Sequence, residues 1–161
     1  MLISATPETF RLAETFTISR GSRDAAEVLT VHIDEGTHQG RGECVPYARY
    51  GETMESVAAE IAGLPADLDR IALQNLLPAG AARNAADCAL WDLEAKCSGQ
   101  RAWDLAGLPV PGPRITAYTL SLDTPENMHQ QAKLHAHRAL LKLKLGGEDD
   151  LARVAAVRDG A

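Results

Sequence analysis

The chain has 161 residues, 45% of them hydrophobic and 24% charged, with a formal net charge of −6 at pH 7. That balance suits a globular fold of one domain, or of one domain and part of a second, and gives no electrostatic reason to expect nucleic acid or an anionic membrane as partner. No apolar run approaches the ~20 residues needed to span a bilayer, and the start MLISATPETFRLAE lacks the basic and then apolar stretches of a secretory signal.

The first third reads as β. Residues 2–13 alternate roughly between apolar and polar. Residues 27–34, EVLTVHID, alternate more cleanly, with Leu29, Val31 and Ile33 opposite Val28, Thr30 and His32. Glu35-Gly36 signals a turn and residues 39–45 suit a third strand, giving an antiparallel meander. The connection 17–25 is polar and carries Arg20, Gly21, Ser22 and Arg23, a composition expected of a mobile loop.

The middle reads as helical. Residues 53–64 open on a threonine cap, residues 68–77 stop at Pro78, and residues 103–106 make one short turn. The strongest helix covers 81–97, where Ala82, Ala85, Ala86, Ala89, Leu90, Leu93 and Cys97 recur at helical spacing. Cys44, Cys88 and Cys97 are odd in number and fit no zinc or C-x-x-C spacing. Cys88 and Cys97 fall in the apolar helical pattern and are expected to be small buried hydrophobes in a reducing cytosol.

Residues 107–114, GLPVPGPR, exclude a regular element and mark a boundary near 112. Beyond it comes a strand (115–122), then a helix opened by Asp123-Thr124-Pro125-Glu126, then a strand in LLKLKLGG (140–147), then a helix over 148–158. This β-α-β-α order with short joins implies parallel strands. In LLKLKLGG, Lys142 and Lys144 share one strand face and the leucines take the other, while Gly146 and Gly147 permit a sharp exit. Two readings stay open on pattern alone. The lysines can decorate a solvated edge, or they can aim inward at the mouth of an α/β barrel. In the second case the two close amines disfavour each other's charge, which suits a general base.

Taken together, FTISRGSR, GRGECVPYARYGE, LPAGAARNAADCALWDLEAK, ITAYT and LLKLKLGG resemble, in order and spacing, the N-terminal part of enolase-superfamily enzymes of the muconate-lactonising subgroup, and within it the L-Ala-D/L-Glu (dipeptide) epimerases. The resemblance implies an α+β capping domain, a three-stranded antiparallel sheet plus helices, over 1–112. The first two βα units of a (β/α) barrel would follow over 113–161. It implies Lys144 as the acid/base on a carboxylate substrate's α-proton, with Lys142 beside it. Arg20 would hold a substrate carboxylate, with Arg23 competing for that place. Thr119 would lie near the bound dipeptide, and Tyr50 would come from a second capping loop.

The resemblance also implies Mg2+ on later barrel strands; Asp149, Asp150 and Asp159 do not match the family's ligand positions and read as solvated helix charges. Neither those metal ligands nor a second, opposing lysine is expected within residues 1–161, so a polypeptide of this length alone is expected to be inactive. The whole enzyme is expected to be a cytoplasmic homo-oligomer that acts on a small dipeptide or carboxylate in cell-wall peptide recycling. Muconate cycloisomerase and o-succinylbenzoate synthase activities use the same lysine strand and remain open. So does a non-catalytic capping or assembly module.

Overall fold

The computed structural model describes residues 1–161. Its elements run β1 (Leu2–Ile18), β2 (Gly21–Asp34), β3 (Gln39–Cys44), a 3-10 turn (Ala48–Tyr50), α1 (Met54–Ala62), α2 (Arg70–Leu76), α3 (Ala81–Ser98), α4 (Ala102–Leu105), β4 (Tyr118–Leu120), α5 (Pro125–Leu134), β5 (Leu141–Leu143) and α6 (Asp150–Gly160). One sheet has the order β1-β2-β3, and β4 pairs in parallel with β5 in another. This is the expected three-stranded sheet with helices, followed by two βα units. By internal contacts the chain divides into two compact units. One holds Met1–Phe10 and Ala26–Pro111, the other Arg11–Ala25 and Gly112–Ala161.

In the first unit, packing is set by an uneven pair of strands. Leu29, Val31 and Ile33 of β2 are fully buried. Their antiparallel partners on β3 are Cys44, Gly42 and Gly40. Large residues on one strand therefore face small ones on the next, which leaves a trough over β3. The long helix α3 lies in it through Ala85 and Ala89: a Cβ on Gly42 would run into the Ala85 carbonyl oxygen, and one on Gly40 into that of Ala89. The pairing order shows that α3 runs opposite to β3. Two strand residues advance about 6.8 Å and four helix residues about 6 Å, so the two rows match over this length. Ala82, Ala85, Ala86, Ala89, Leu90 and Leu93 are buried as the periodicity predicts. Val57 and Ile61 of α1 and Leu73 of α2 complete the core. Thr53 and Ser56 close α1 with a reciprocal capping box, and Asp69 caps α2.

Two expectations fail here. Cys88 and Cys97 are exposed, and only Cys44 is buried. Cys88 faces away from the alanine stripe. Cys97 keeps the helical period but lies on the last turn of α3, one turn past Leu93, the last buried residue of the stripe.

In the second unit, α5 is the crossover between the parallel strands β4 and β5. Thr124 caps it and Pro125 occupies its first turn. Leu120 of β4, Met128 and Ala132 of α5 and Val157 of α6 form a small core, with Leu141 and Leu143 packed against it. Leu141 and Leu143 of the lysine strand thus pack as the alternation implies, while Leu145, beyond β5, is exposed.

Residues 17–25 are not an irregular loop. β1 runs to Ile18 and β2 starts at Gly21, so only Ser19 and Arg20 form the turn of a long hairpin. Polar cross-strand pairs replace apolar ones: Thr15 Oγ1 donates to Asp24 Oδ1, and the Thr17 and Ser22 hydroxyls lie 2.8 Å apart.

Candidate active site

Thr119, Lys142 and Lys144 lie on or just past the paired strands β4 and β5. The strand register sets Thr119 opposite Lys142. One residue past β5 the ladder continues, with Lys144 N–H donating to the Leu120 carbonyl at 3.1 Å. Lys142 is exposed and Lys144 half-buried. The Lys144 ammonium lies 5.7 Å from the centre of the Phe16 ring, on β1 of the hairpin. Arg23 on β2 approaches the same ring, also at 5.7 Å. One aromatic ring thus gathers an amine and a guanidinium within cation–π range.

The hairpin tip is held over these strands by backbone and by close packing. Thr17 N–H donates to Ser121 Oγ at 2.7 Å, and Leu122 N–H donates to the Thr17 carbonyl at 3.0 Å. A Cβ on Gly146 would come within 2.5 Å of Ser19 Cβ and 3.1 Å of its Cα. Gly146 therefore serves contact as well as turning: two residues past Lys144, it lets the tip carrying Arg20 sit against the strand exit. Asp150 fixes that exit by accepting from the Gly146 and Gly147 N–H groups at 3.0 and 3.2 Å and pairing with Arg153 at 3.2 Å. The Gly146 hydrogen bond, then that of Gly147, holds the Asp150 carboxyl below the usual carboxylate range. Asp150 is thus a clamp, not the solvated helix charge its sequence context suggests. Asp159 is exposed and pairs with His129 at 3.6 Å.

Beside this tip lies a cavity of about 360 Å3, lined by Phe16, Arg23, Thr119, Ser121 and Met128 among others. Thr119 thus lines a concave site together with Arg23, the rival of Arg20. Lys142, Lys144 and Arg20 are not in its wall; Lys144 reaches it only through Phe16. Tyr50 belongs to the other unit, where it closes the 3-10 turn and packs against Tyr47 with ring centres 5.7 Å apart. Phe16 and Ser121 are not singled out by the sequence pattern, and Asp150 reads there as a solvated charge. Phe16 was legible as the aromatic of FTISRGSR; Ser121 depends on hydrogen bonds to the distant Thr15 and Thr17, and Asp150 on local ones to glycine N–H groups three and four residues back.

The N-terminal domain signature of mandelate racemase / muconate lactonizing enzyme matches residues 3–107, and the chain belongs to that family. The chain is 44% identical over 157 residues to the L-Ala-D/L-Glu epimerase of Escherichia coli K12, an alignment covering 94% of this chain and 49% of that protein. An enolase family member from Agrobacterium tumefaciens, described as having homology to dipeptide epimerases and solved with sodium and L-Ala-L-Glu, is 51% identical with a TM-score of 0.93. That match covers 99% of this chain and 50% of the other. The dipeptide epimerase of Enterococcus faecalis V583, solved with Mg and L-Leu-L-Tyr, is 28% identical with a TM-score of 0.84, over 99% and 49% of the two chains. The chain spans about half the length of the relatives it matches.

Mg2+ favours an octahedron of hard oxygen ligands. Two carboxylates near β4 and β5 are otherwise engaged, Asp150 at the glycine exit and Asp123 with Thr124 N–H and the Asn127 amide. The one convergent set of ligand side chains, Glu35, His38 and Cys97, sits in the first unit and offers a single carboxylate. The residues present do not compose an Mg2+ site. No helix is long and apolar enough to cross a membrane.

Proposed function

We propose that the protein carrying this chain is a dipeptide epimerase that interconverts L-Ala-D-Glu and L-Ala-L-Glu by removing and returning the glutamate α-proton. Residues 1–112 act as its capping domain and 113–161 as the start of its barrel. The single observation that carries this reading is the two-faced lysine strand. Its leucines pack on the α5–α6 core while the Lys144 amine turns to Phe16 of the hairpin. The 44% identity to an L-Ala-D/L-Glu epimerase narrows the substrate class.

In this reading the neutral Lys144 amine takes the α-proton from one face and the resulting ammonium can return one. Lys142 stands one strand-period away on the same face, beside that amine. Arg20 holds a substrate carboxylate with paired N–H donors, Thr119 contacts the dipeptide, and Tyr50 belongs to the second capping loop. An α-proton beside a carboxylate is very weakly acidic, so the enediolate needs strong electrostatic stabilisation. Residues outside 1–161 supply the metal ligands and the opposing base. Three free thiols agree with a reducing, cytoplasmic setting.

The direct test is incubation of the full-length protein with L-Ala-L-Glu in D2O. Deuterium is expected at the glutamate α-carbon, with L-Ala-D-Glu accumulating. No exchange with any Ala-Glu epimer, alongside turnover of muconate or another carboxylate, would replace this reading with a sister activity. The tip contact gives a second prediction. Gly146→Ala is expected to displace the Ser19–Arg20 turn and lower kcat/KM on the dipeptide by about 10²-fold, the scale set by a displacement near 1 Å. Adding Ser19→Gly removes the nearer obstacle and is expected to recover part of that loss.

A further inference from the structure

The first unit holds a group of side chains that the epimerase reading does not use. We propose that Glu35, His38 and Cys97 form a three-ligand surface site for a borderline divalent cation of the zinc class. Glu35 Oε1 lies 3.1 Å from His38 Nδ1 and 3.8 Å from Cys97 Sγ, and all three ligand atoms fall within 4.8 Å of one another. Tetrahedral Zn2+ with these donors needs ligand separations of about 3.3–3.6 Å. Two of the three pairs are already near that range, and closing the third takes about 1 Å of side-chain rotation. A thiolate, an imidazole and one carboxylate suit zinc and its neighbours and not the oxygen-seeking Mg2+.

The backbone prepares the arrangement. The β2–β3 turn is closed by Glu35 N–H to the His38 carbonyl at 3.2 Å and by His38 N–H to Glu35 Oε1 at 2.9 Å. Asp34 Oδ1 accepts from Gly36 N–H at 2.7 Å, and Gly36 holds φ +100°. Cys97 arrives on the last turn of α3, which is tied to the same region: Lys96 Nζ donates to the Gln39 carbonyl at 2.8 Å and pairs with Asp92, which also accepts from Arg41 N–H at 2.8 Å. The close fit of Gly40 and Gly42 beneath α3 fixes the helix along the strand. So the two elements cannot slide apart without breaking the core.

The charge balance closes. Without metal, the Glu35 carboxyl is held low first by the His38 side-chain hydrogen bond, and the Cys97 thiol is pushed up by desolvation and by Glu35. Binding releases the thiol proton, moves the remaining imidazole proton to Nε2, and sets one thiolate and one carboxylate against the two positive charges. Glu35 and Cys97 are exposed, so water takes the fourth position. The bound ion would clip the β2–β3 turn to the end of α3.

The full-length protein, freed of any tag and stripped with a chelator, is titrated with Co2+. A thiolate-to-cobalt charge-transfer absorption is expected to saturate at one equivalent and to vanish when Zn2+ is added. Only a sulfur ligand gives that band, so oxygen-liganded sites elsewhere do not contribute. Cys97→Ser and His38→Ala are each expected to abolish it, and Cys88→Ser to leave it intact. All three positions lie at the surface or near it, and unchanged metal-free unfolding midpoints will confirm that the variants fold. No band up to millimolar Co2+, or a band that survives in either Cys97→Ser or His38→Ala, would overturn the site and leave a hydrogen-bonded surface cluster.

Discussion

If the proposed role of Lys144 holds, replacing it with alanine is expected to abolish interconversion of the Ala-Glu epimers, with a loss of about 10²–10⁴-fold in the proton-transfer step. Deuterium exchange at the glutamate α-carbon is the readout, followed from each epimer separately. A base that works from one side removes the proton of one hand only, so the loss is expected to be large for one epimer. Unchanged exchange from both would remove Lys144 from the mechanism. Lys144→Arg separates chemistry from charge. Arginine at this position carries a fixed positive charge that cannot be lost near neutral pH, and so it cannot act as a base. It is expected to fail as alanine does. Lys144 is half-buried and its backbone N–H is what extends the ladder to Leu120, so neither variant is expected to shift the unfolding midpoint. Lys142→Ala is expected to have a smaller effect, because Lys142 is exposed and it is the Lys144 amine that turns to Phe16.

The strand that carries this prediction could be read from the chain because its two jobs use different residue types. Leucines seek the α5–α6 core and lysines do not, so a period of two separates them without any knowledge of the fold. The alanine stripe of α3 was legible for the same reason, as was the Thr124-Pro125 helix start. The hairpin tip was not. Its strands over residues 15–24 are held by Thr15 with Asp24 and Thr17 with Ser22, pairs that look like loop composition when the partner strand is unknown. Asp150 misled in a similar way: a carboxylate at a helix start reads as a solvated charge, and its bonds to Gly146 and Gly147 exist only once the strand exit has folded back. Cys97 kept the helical period past the end of the buried stripe. Periodicity gives the face of a helix but not how far the partner surface extends.

The close fit of α3 on β3 makes Gly42→Ala the substitution with the largest expected cost to stability, about 3 kcal/mol or more. The new methyl group would overlap the Ala85 carbonyl oxygen and also lie 2.8 Å from Ala89 N, so the obstacle is helix backbone and no rotamer relieves it. To make room, α3 must lift from the sheet. Lifting it loosens Ala82, Ala86, Ala89 and Leu93 from Leu29, Val31 and Ile33 together, in a core poor in aromatic residues. A loss of that size is a large share of the 5–15 kcal/mol typical of a domain. Urea unfolding of the parent and variant measures it. Gly36→Ala serves as the comparison, since Gly36 has open space around it and only its positive φ is at stake; a cost of about 1–2 kcal/mol is expected there. Combining Gly42→Ala with Ala85→Gly sharpens the test. If the clash is with the carbonyl oxygen, trimming the Ala85 side chain recovers nothing and adds the usual helix cost of glycine, about 1 kcal/mol. A double variant as stable as the parent would mean that α3 rests on side chains, and that Gly40 and Gly42 are not what sets its height above the sheet.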